Sequence, residues 1–152
     1  MLLGKAYNSL DAQRRVTVPK AMRGQLGATA VLTRGLDGGL FLLPGDYWQK
    51  LVNNLTQLPF TKKRARDFWR YISNDAYEVQ PDNLGRITIP AALAEFAHFE
   101  KDVVVIGSMQ YIEIWDQKKY HGYLDELTKN AEEIAEDLPW EEGTYARTSV
   151  IE

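Results

Sequence analysis

Residues 11–19, Asp-Ala-Gln-Arg-Arg-Val-Thr-Val-Pro, recur 71 residues later at 82–90 as Asp-Asn-Leu-Gly-Arg-Ile-Thr-Ile-Pro. At the same offset, Leu40–Pro44 aligns with Tyr111–Trp115. This spacing is longer than the repeat of a solenoid protein. The sequence therefore predicts a tandem duplication of one structural unit, and this duplication decides the fold.

Each unit is predicted to contain a strand, a turn, a second strand, a short helix and a hairpin. In residues 15–18 and 86–89, arginine and threonine alternate with valine or isoleucine. A strand places alternate side chains on opposite faces, so we expect the branched residues inside and arginine with threonine outside. Pro19 and Pro90 end these strands and suit the first turn of a helix.

The remaining segments predict hairpins and longer helices. The hairpins are expected to join Ala30–Arg34 to Leu40–Leu43 and Val103–Gly107 to Tyr111–Trp115, and the helices to span Asp46–Leu58, Thr61–Ile72 and Gln117–Asp137. Thr61 is the expected N-cap of the second helix. The predicted domains are a first unit at 1–50, a helical connector at 51–73, a second unit at 74–120, and an acidic helix and tail at 121–152.

Charge is distributed unevenly along the 152 residues. The net charge of −3 divides into +5 for residues 1–36, −1 for residues 37–120 and −7 for residues 121–152. A basic head and an acidic tail indicate a polyanionic partner at one end of the chain. A chance excess of lysine and arginine beside a solvated tail would give the same totals.

The composition, 45% hydrophobic and 26% charged, is typical of a globular domain. Because the chain has no cysteine, it has no disulfide framework and no thiolate chemistry. The first residues lack the apolar core of a signal peptide, and no apolar run approaches the ~20 residues of a membrane span. We therefore expect a cytoplasmic protein with no membrane partner.

Several motifs occur together with the doubled Asp-x-x-x-Arg. They are Gly-Leu-Asp-Gly-Gly-Leu-Phe-Leu-Leu-Pro at 35–44 before Trp48, Ala76-x-Glu78 before Asp82, and Gly107 with Glu113-Ile-Trp115. Over about residues 4–120 the chain resembles the MraZ family of bacterial transcriptional regulators, which carry two SpoVT/AbrB-like DNA-binding units.

The resemblance implies a mainly β, α+β fold in which the two units form a swapped-hairpin β-barrel pseudo-dimer with peripheral helices. It also implies ring-like homo-oligomers that bind short direct repeats in double-stranded promoter DNA of the division and cell-wall gene cluster. The expected location is therefore the nucleoid within the cytoplasm. No cofactor, catalytic residue, metal or small-molecule substrate is expected.

The Asp-x-x-x-Arg pattern also has a physical interpretation of its own. Across a tight turn, Asp11 or Asp82 can accept hydrogen bonds from turn N–H groups and hold Arg15 or Arg86. An arginine fixed in this way can meet O6 and N7 of guanine with two hydrogen bonds. In the alternative interpretation, the aspartate and arginine only stabilise their own turn.

The other candidate DNA contacts are Lys5, Arg14, Thr17, Lys20 and Arg23, all in the first unit. Lys20 and Arg23 are expected on the outer side of the first short helix, where the second unit has alanines, so phosphate contacts should come mainly from the first unit. Members of the MraZ family usually carry glycine where this chain has Arg14. Arg14 is strained if the turn requires a positive φ, and otherwise adds a cation beside Arg15.

Other interpretations remain open at this stage. The basic segment 62–70 is a solvated helix face, a phosphate contact or a subunit contact, and the acidic C-terminal helix either solubilises the chain or docks on a neighbour. Asp11 and Asp82 could form a carboxylate dyad, but the arginine after each one disfavours it. His98 and His121 show no metal-ligand spacing. An antitoxin-type, protein-binding AbrB-like module is the alternative to DNA binding.

Overall fold

The computed structural model describes residues 1–141, so most of the tail that the sequence predicts after the helix ending at Asp137 lies outside the described residues. The strands are β1 (Lys5–Ser9), β2 (Arg15–Thr17), β3 (Ala30–Arg34), β4 (Leu40–Pro44), β5 (Tyr77–Val79), β6 (Arg86–Thr88), β7 (Asp102–Gly107) and β8 (Ile112–Asp116). The helices are α1 (Lys20–Arg23), α2 (Gly45–Thr56), α3 (Lys63–Ser73), α4 (Ala91–Phe96) and α5 (Gln117–Asp137).

Strands of both units are interleaved in one antiparallel sheet, with the order β1-β7-β8-β4-β3-β5. The edge strand of each unit pairs with the other unit, because β1 lies against β7 and β5 lies against β3. At the centre, β4 pairs with β8 around Phe41 and Glu113. In the two repeats, β1, β3 and β4 correspond to β5, β7 and β8. If each strand is replaced by its counterpart, the strand order read from one end of the sheet becomes the order read from the other end. The two units are therefore related by a pseudo-twofold axis.

A separate two-stranded ribbon, β2 with β6, is formed by the repeated motif itself. Within residues 1–141 the larger sheet stays open, with β1 and β5 at its edges, so the closed swapped-hairpin barrel implied by the family resemblance is not present. The ribbon strands pair only with each other, and Thr17 O of the ribbon is linked to β1 by the Asn8 side-chain amide at 3.1 Å. The α+β class is confirmed.

The ribbon and the sheet share one hydrophobic core. Val16, Val18, Ile87 and Ile89 of the ribbon strands and their continuations are at most 2% exposed and pack with sheet residues such as Leu42. The predicted alternation is therefore confirmed on its inner side. Burying each such side chain contributes about 1.5–3 kcal/mol, which holds the ribbon flat on the sheet and leaves its other face outward.

Helix α3 is held at its C-terminal end by side chains of β3. Thr33 donates its hydroxyl to Ile72 O at 2.7 Å, and the Arg34 Nε donates to Tyr71 O at 3.0 Å. These carbonyls belong to the last turn, where a helix has no partners of its own. At the other end the predicted N-cap at Thr61 is wrong, because the helix begins at Lys63 without a side-chain cap.

Residues Met1–Tyr120 form one compact unit that contains both repeats, and the described residues from 121 to 141 belong to a second unit. Helix α5 has the bounds that the sequence predicts. The finer division of the chain into four segments stays a prediction.

Candidate nucleic-acid interface

The outer face of the ribbon carries two arginines and two threonines. Arg15 pairs with Thr88 and Thr17 pairs with Arg86, on either side of the buried Val16–Ile87 pair. Paired residues of a sheet point to the same side, so these four side chains share the face opposite the core. Arg15 and Arg86 are diagonal neighbours across the ribbon, about 7–8 Å apart. The pseudo-twofold axis thus brings the two motif arginines onto one surface.

The first turn, residues 11–15, is organised by a single carboxylate. Asp11 Oδ1 accepts the N–H groups of Gln13 and Arg15, each at 2.9 Å, and Asp11 Oδ2 accepts the Arg15 Nε at 2.6 Å. The Arg15 side chain is 30% exposed. The bond to Asp11 uses only the Nε of the guanidinium, which leaves the donors on its two terminal nitrogens for other partners.

The second turn, residues 82–86, repeats this arrangement. Asp82 Oδ1 accepts the N–H groups of Leu84 and Arg86 at 2.9 Å each, and Oδ2 accepts the Arg86 Nε at 2.9 Å. The hydrogen bonds expected from the sequence are thus present in both copies, while contact of the arginines with DNA stays a prediction.

Both turn carboxylates are more acidic than an ordinary aspartate. The backbone N–H of Arg15 lowers the pKa of Asp11 below its usual 3.8, against the opposing effect of burial and with further help from the Arg15 side chain. The backbone N–H of Arg86 lowers the pKa of Asp82 in the same way. Both groups are therefore ionised at neutral pH, and each cancels part of the charge of its arginine.

Both turns require a positive φ at the residue before the arginine. Gly85 has φ +79°, and Arg14 has φ +57°. Only glycine adopts this region without cost, whereas another residue loses about 1–2 kcal/mol. Of the two possibilities that the sequence leaves open, the structure therefore shows the strained one at Arg14. Its side chain is partly engaged, since Arg14 Nε donates to Ile89 O at 3.0 Å.

Of the other residues predicted to contact DNA, some are exposed and one is partly buried within the protein. Lys20 is exposed on α1, as expected. The prediction that Arg23 lies on the outer side of α1 is wrong, because its Nε is buried and its guanidinium lies against Gly85 of the second turn. Lys5 lies at the start of β1, with its ammonium 5.8 Å from the ring centre of Tyr7.

Sequence reasoning missed the tips of the turns. Gln13 and Leu84 are equivalent, 71 residues apart, and both are exposed, Leu84 by 65%. Single exposed apolar side chains are common on protein surfaces, so Leu84 is of interest because it lies two residues before Arg86 at the tip of its turn. The repeat offset, applied to every residue of the motif, would have found the pair.

The hypothesis of a carboxylate dyad does not agree with the ribbon. The strands are antiparallel, so Asp11 and Asp82 precede opposite ends of the ribbon, and each is bonded to its own turn. Within residues 1–141 there is no group of three or more histidine, aspartate or glutamate side chains that could hold a metal ion. The helices in this part of the chain are also too short or too polar to cross a membrane.

The fold and the site define a class of protein: two related units in one chain, which together present a β-ribbon with a pair of Asp–Arg turns. A family model described as "MraZ protein, putative antitoxin-like" matches the chain twice, over residues 1–71 and 72–138. The chain belongs to the MraZ family.

Relatives of this chain from several bacteria are each named "Transcriptional regulator MraZ". The relative from Halothermothrix orenii is 43% identical over 141 residues, which cover 91% of this chain and 99% of the relative. That from Thermoanaerobacter pseudethanolicus is 43% identical over 138 residues, 91% of this chain and 96% of the relative. That from Limosilactobacillus reuteri is 40% identical, with coverage of 91% and 97%.

Proposed function

We propose that this protein is a sequence-specific DNA-binding transcriptional regulator whose contact surface is the outer face of the β2–β6 ribbon. The observation that carries the proposal is the presence of two Asp-held arginines, Arg15 and Arg86, on one exposed face of a two-stranded ribbon. The major groove of B-DNA admits such a ribbon, and a held guanidinium can bond guanine through two nitrogens.

Base contacts and phosphate contacts are expected from different residues. Arg15 and Arg86 have their Nε held by a carboxylate, which fixes the direction of the fork and suits base recognition. Lys20 is exposed and suits phosphate, as does Lys5 at the start of β1. Thr17 shares the ribbon face and can contact either. DNA contact by Arg14 and Arg23 is part of the same proposal, through their terminal nitrogens.

The two turn tips give the surface a polarity along the DNA. The amide of Gln13 can bond adenine N6 and N7, whereas Leu84 can only make apolar contact, as with the methyl group of thymine. Both are exposed beside a motif arginine. We therefore expect the two units to prefer different base steps, so that one protomer recognises an asymmetric box.

The expected target is a set of short direct repeats in the promoter of the division and cell-wall gene cluster, bound by a ring-like homo-oligomer in the nucleoid. Self-association is supported by exposed apolar residues at one edge of the sheet. Met1, Leu3 and Met109 are 81%, 63% and 66% exposed, and the first and last of these line an open groove with Tyr47 and Tyr111. A patch of this kind commonly forms a protein interface.

Substitution of the two kinds of residue tests the proposal on duplexes that the wild-type protein selects from a random library. Arg15→Ala should cost about 1–3 kcal/mol on the selected duplex and much less on random DNA, since it removes a base contact. Lys20→Ala should weaken both DNAs alike and reduce the slope of log K against log salt by about 1. Affinities are measured by fluorescence anisotropy over a salt series.

Lys129→Ala, an exposed change on α5, serves as the control and should leave both affinities unchanged. Thermal unfolding of each variant separates loss of fold from loss of contact. If Arg15→Ala lowers the melting temperature but keeps full discrimination between selected and random DNA, the arginine only ties its turn. If the wild-type protein enriches no DNA and instead retains a protein partner, the antitoxin-type alternative holds.

A further inference from the structure

Positions 14 and 85 are equivalent in the two turns, yet they carry residues of opposite size. Both have a positive φ, and their backbones make the same contacts across the pseudo-twofold axis. Ile89 N donates to Arg14 O at 2.8 Å, and Val18 N donates to Gly85 O at 2.8 Å. The two turns therefore stand in the same relation to the opposite unit, although one carries the largest cation and the other has no side chain.

A guanidinium from the opposite unit fills the space at Gly85. A Cβ placed on Gly85 would lie 2.4 Å from Cζ and Nη1 of Arg23 and 2.6 Å from its Nε. The Arg23 Nε is buried and has no hydrogen-bond partner within residues 1–141, so the planar group packs against the turn backbone. Arg23 belongs to α1 of the first unit and thus bridges to the turn that holds Arg86.

At the first turn, the pseudo-twofold axis assigns a small residue to the place that Arg23 takes at the second turn. Arg23 corresponds to Ala94 on α4 at the 71-residue offset, so the opposite unit offers no guanidinium to the first turn. Arg14 supplies it from the turn itself, and its Nε donates to Ile89 O, just before α4, at 3.0 Å. Each turn is therefore bridged to the opposite unit by one arginine, contributed from alternate sides.

We propose that residues 14 and 94 form one pair and residues 85 and 23 an equivalent pair, and that each pair consists of one arginine and one small residue. In the first pair Arg14 positions the turn that presents Arg15, and in the second pair Arg23 positions the turn that presents Arg86. Arg14 and Arg23 are thus positioning residues that fix the two turns relative to each other across the axis. This explains how the side chain of Arg14 finds room in the first turn, because the partner position holds only alanine, although the backbone cost of its positive φ remains. The positioning role of these arginines rests on the proposed DNA-binding function, whereas the pairing of one arginine with one small residue does not.

A double-mutant cycle tests the pairing. Ala94→Arg in the wild-type background puts two guanidinium groups in one space and should destabilise the fold. In the Arg14→Gly background the same change recreates the Gly85–Arg23 arrangement and should be tolerated. We expect the effect of Ala94→Arg on the unfolding equilibrium to differ between the backgrounds by about tenfold or more, the size usual for residues in contact. Denaturant titration gives this ratio.

Matched controls keep the result specific. Ala92→Arg, an exposed change on the same helix, should have the same effect in both backgrounds. At the second pair, Gly85→Arg should be destabilising alone, because Gly85 has a positive φ and because the new side chain meets the Arg23 guanidinium. Arg23→Ala should rescue only the second of these two costs. Additive effects of residues 14 and 94, within threefold, would overturn the pairing. If one of these variants fails to fold, residues 85 and 23 give an independent cycle, and additive effects there would overturn it instead.

The positioning role is judged by DNA discrimination of the folded protein. Arg14→Gly should reduce the ratio of affinities for selected and random duplex by about tenfold, and the Arg14→Gly, Ala94→Arg double variant should restore it. If residues 14 and 94 are coupled in the unfolding measurements but the ratio of DNA affinities does not change, the positioning role is overturned. If the wild-type protein discriminates no DNA at all, the proposed function fails, while the unfolding cycle still decides whether the pairs exist.

Discussion

At the scale of single residues, each motif arginine divides its hydrogen-bonding capacity between the protein and a partner. Arg15 donates its Nε–H to Asp11, and the donors on its terminal nitrogens are left for other partners. The same carboxylate also holds two backbone N–H groups, so one side chain fixes both the shape of the turn and the direction of the guanidinium. A base-recognising arginine gains from such preorganisation, because less side-chain freedom is lost on binding.

Asp11→Asn separates the shape of the turn from the hold on the arginine. Asparagine can still accept the two backbone N–H groups through its oxygen but has no charge for the guanidinium. We expect a loss of about tenfold in discrimination between selected and random DNA, with a modest lowering of the melting temperature, because the amide oxygen accepts the two backbone N–H groups more weakly than the carboxylate does. Asp102→Asn, at an exposed aspartate bonded to Ser9, is the control. An equal loss in both variants would indicate a general effect of charge.

The lowered pKa values of Asp11 and Asp82 predict how the turns respond to acid. A carboxylate with a lowered folded-state pKa stabilises the fold above its unfolded-state pKa, and this contribution is lost as the pH falls through the folded-state value. We expect both carboxyl groups to titrate below the usual 3.8, because backbone N–H groups stabilise the ionised form. NMR titration of the side-chain carboxyl carbons measures this, and an ordinary midpoint would contradict the hydrogen bonding described.

At the scale of elements, the last turn of α3 is completed by the strand beside it. Thr33 is fully buried and bonds Ile72 O. Thr33→Val keeps the shape of the side chain and leaves that carbonyl without its partner, at an expected cost of about 1–3 kcal/mol. Thr56→Val removes a similar bond from an exposed site, to Val52 O, and should stay within about 0.5 kcal/mol. Chemical denaturation of both variants measures the difference.

Features set by neighbouring residues could be predicted, and features set by the opposite unit could not. The bounds of α5 and the inward valines of the ribbon follow from periodicity along a few turns or residues. The N-cap of α3 was misplaced because Thr61 is a good cap by type but lies two residues before the helix. The orientation of Arg23 depends on the absence of a side chain at Gly85, 62 positions further along the chain.

At the scale of the whole molecule, the duplication was evident from the repeated motif, but the open sheet was not. The strand order depends on the pairing of β1 with β7 and of β5 with β3, and no local sequence pattern specifies these pairings. The same holds for the site, where the Asp–Arg pairs were predicted and their meeting on one ribbon face required the pairing of β2 with β6.

The small contact surface predicts that binding depends on several boxes. One protomer offers a three-pair ribbon on a chain of net charge −3, so a single box should be bound weakly. Linked boxes about one helical turn apart keep all protomers on one side of the duplex, and joining the binding events can raise affinity by a factor of about 10²–10⁴. Titration of duplexes with one, two and more boxes measures this. Equal affinity per protomer for one and for several boxes would contradict an assembled binding form.

The pairing of β1 with β7 has a consequence during translation. Ser9 and Asp102 are register partners separated by 93 residues, so β1 leaves the ribosome long before its neighbour exists. At about 5–20 residues per second, the nascent chain carries this strand unpaired for roughly 5–20 s. Two chains growing on one messenger RNA can exchange this strand, so that β1 of each chain pairs with β7 of the other. Slow translation of residues 57–62, between the two repeats, lengthens the time for which β1 is unpaired. It would therefore favour strand-exchanged dimers over single chains.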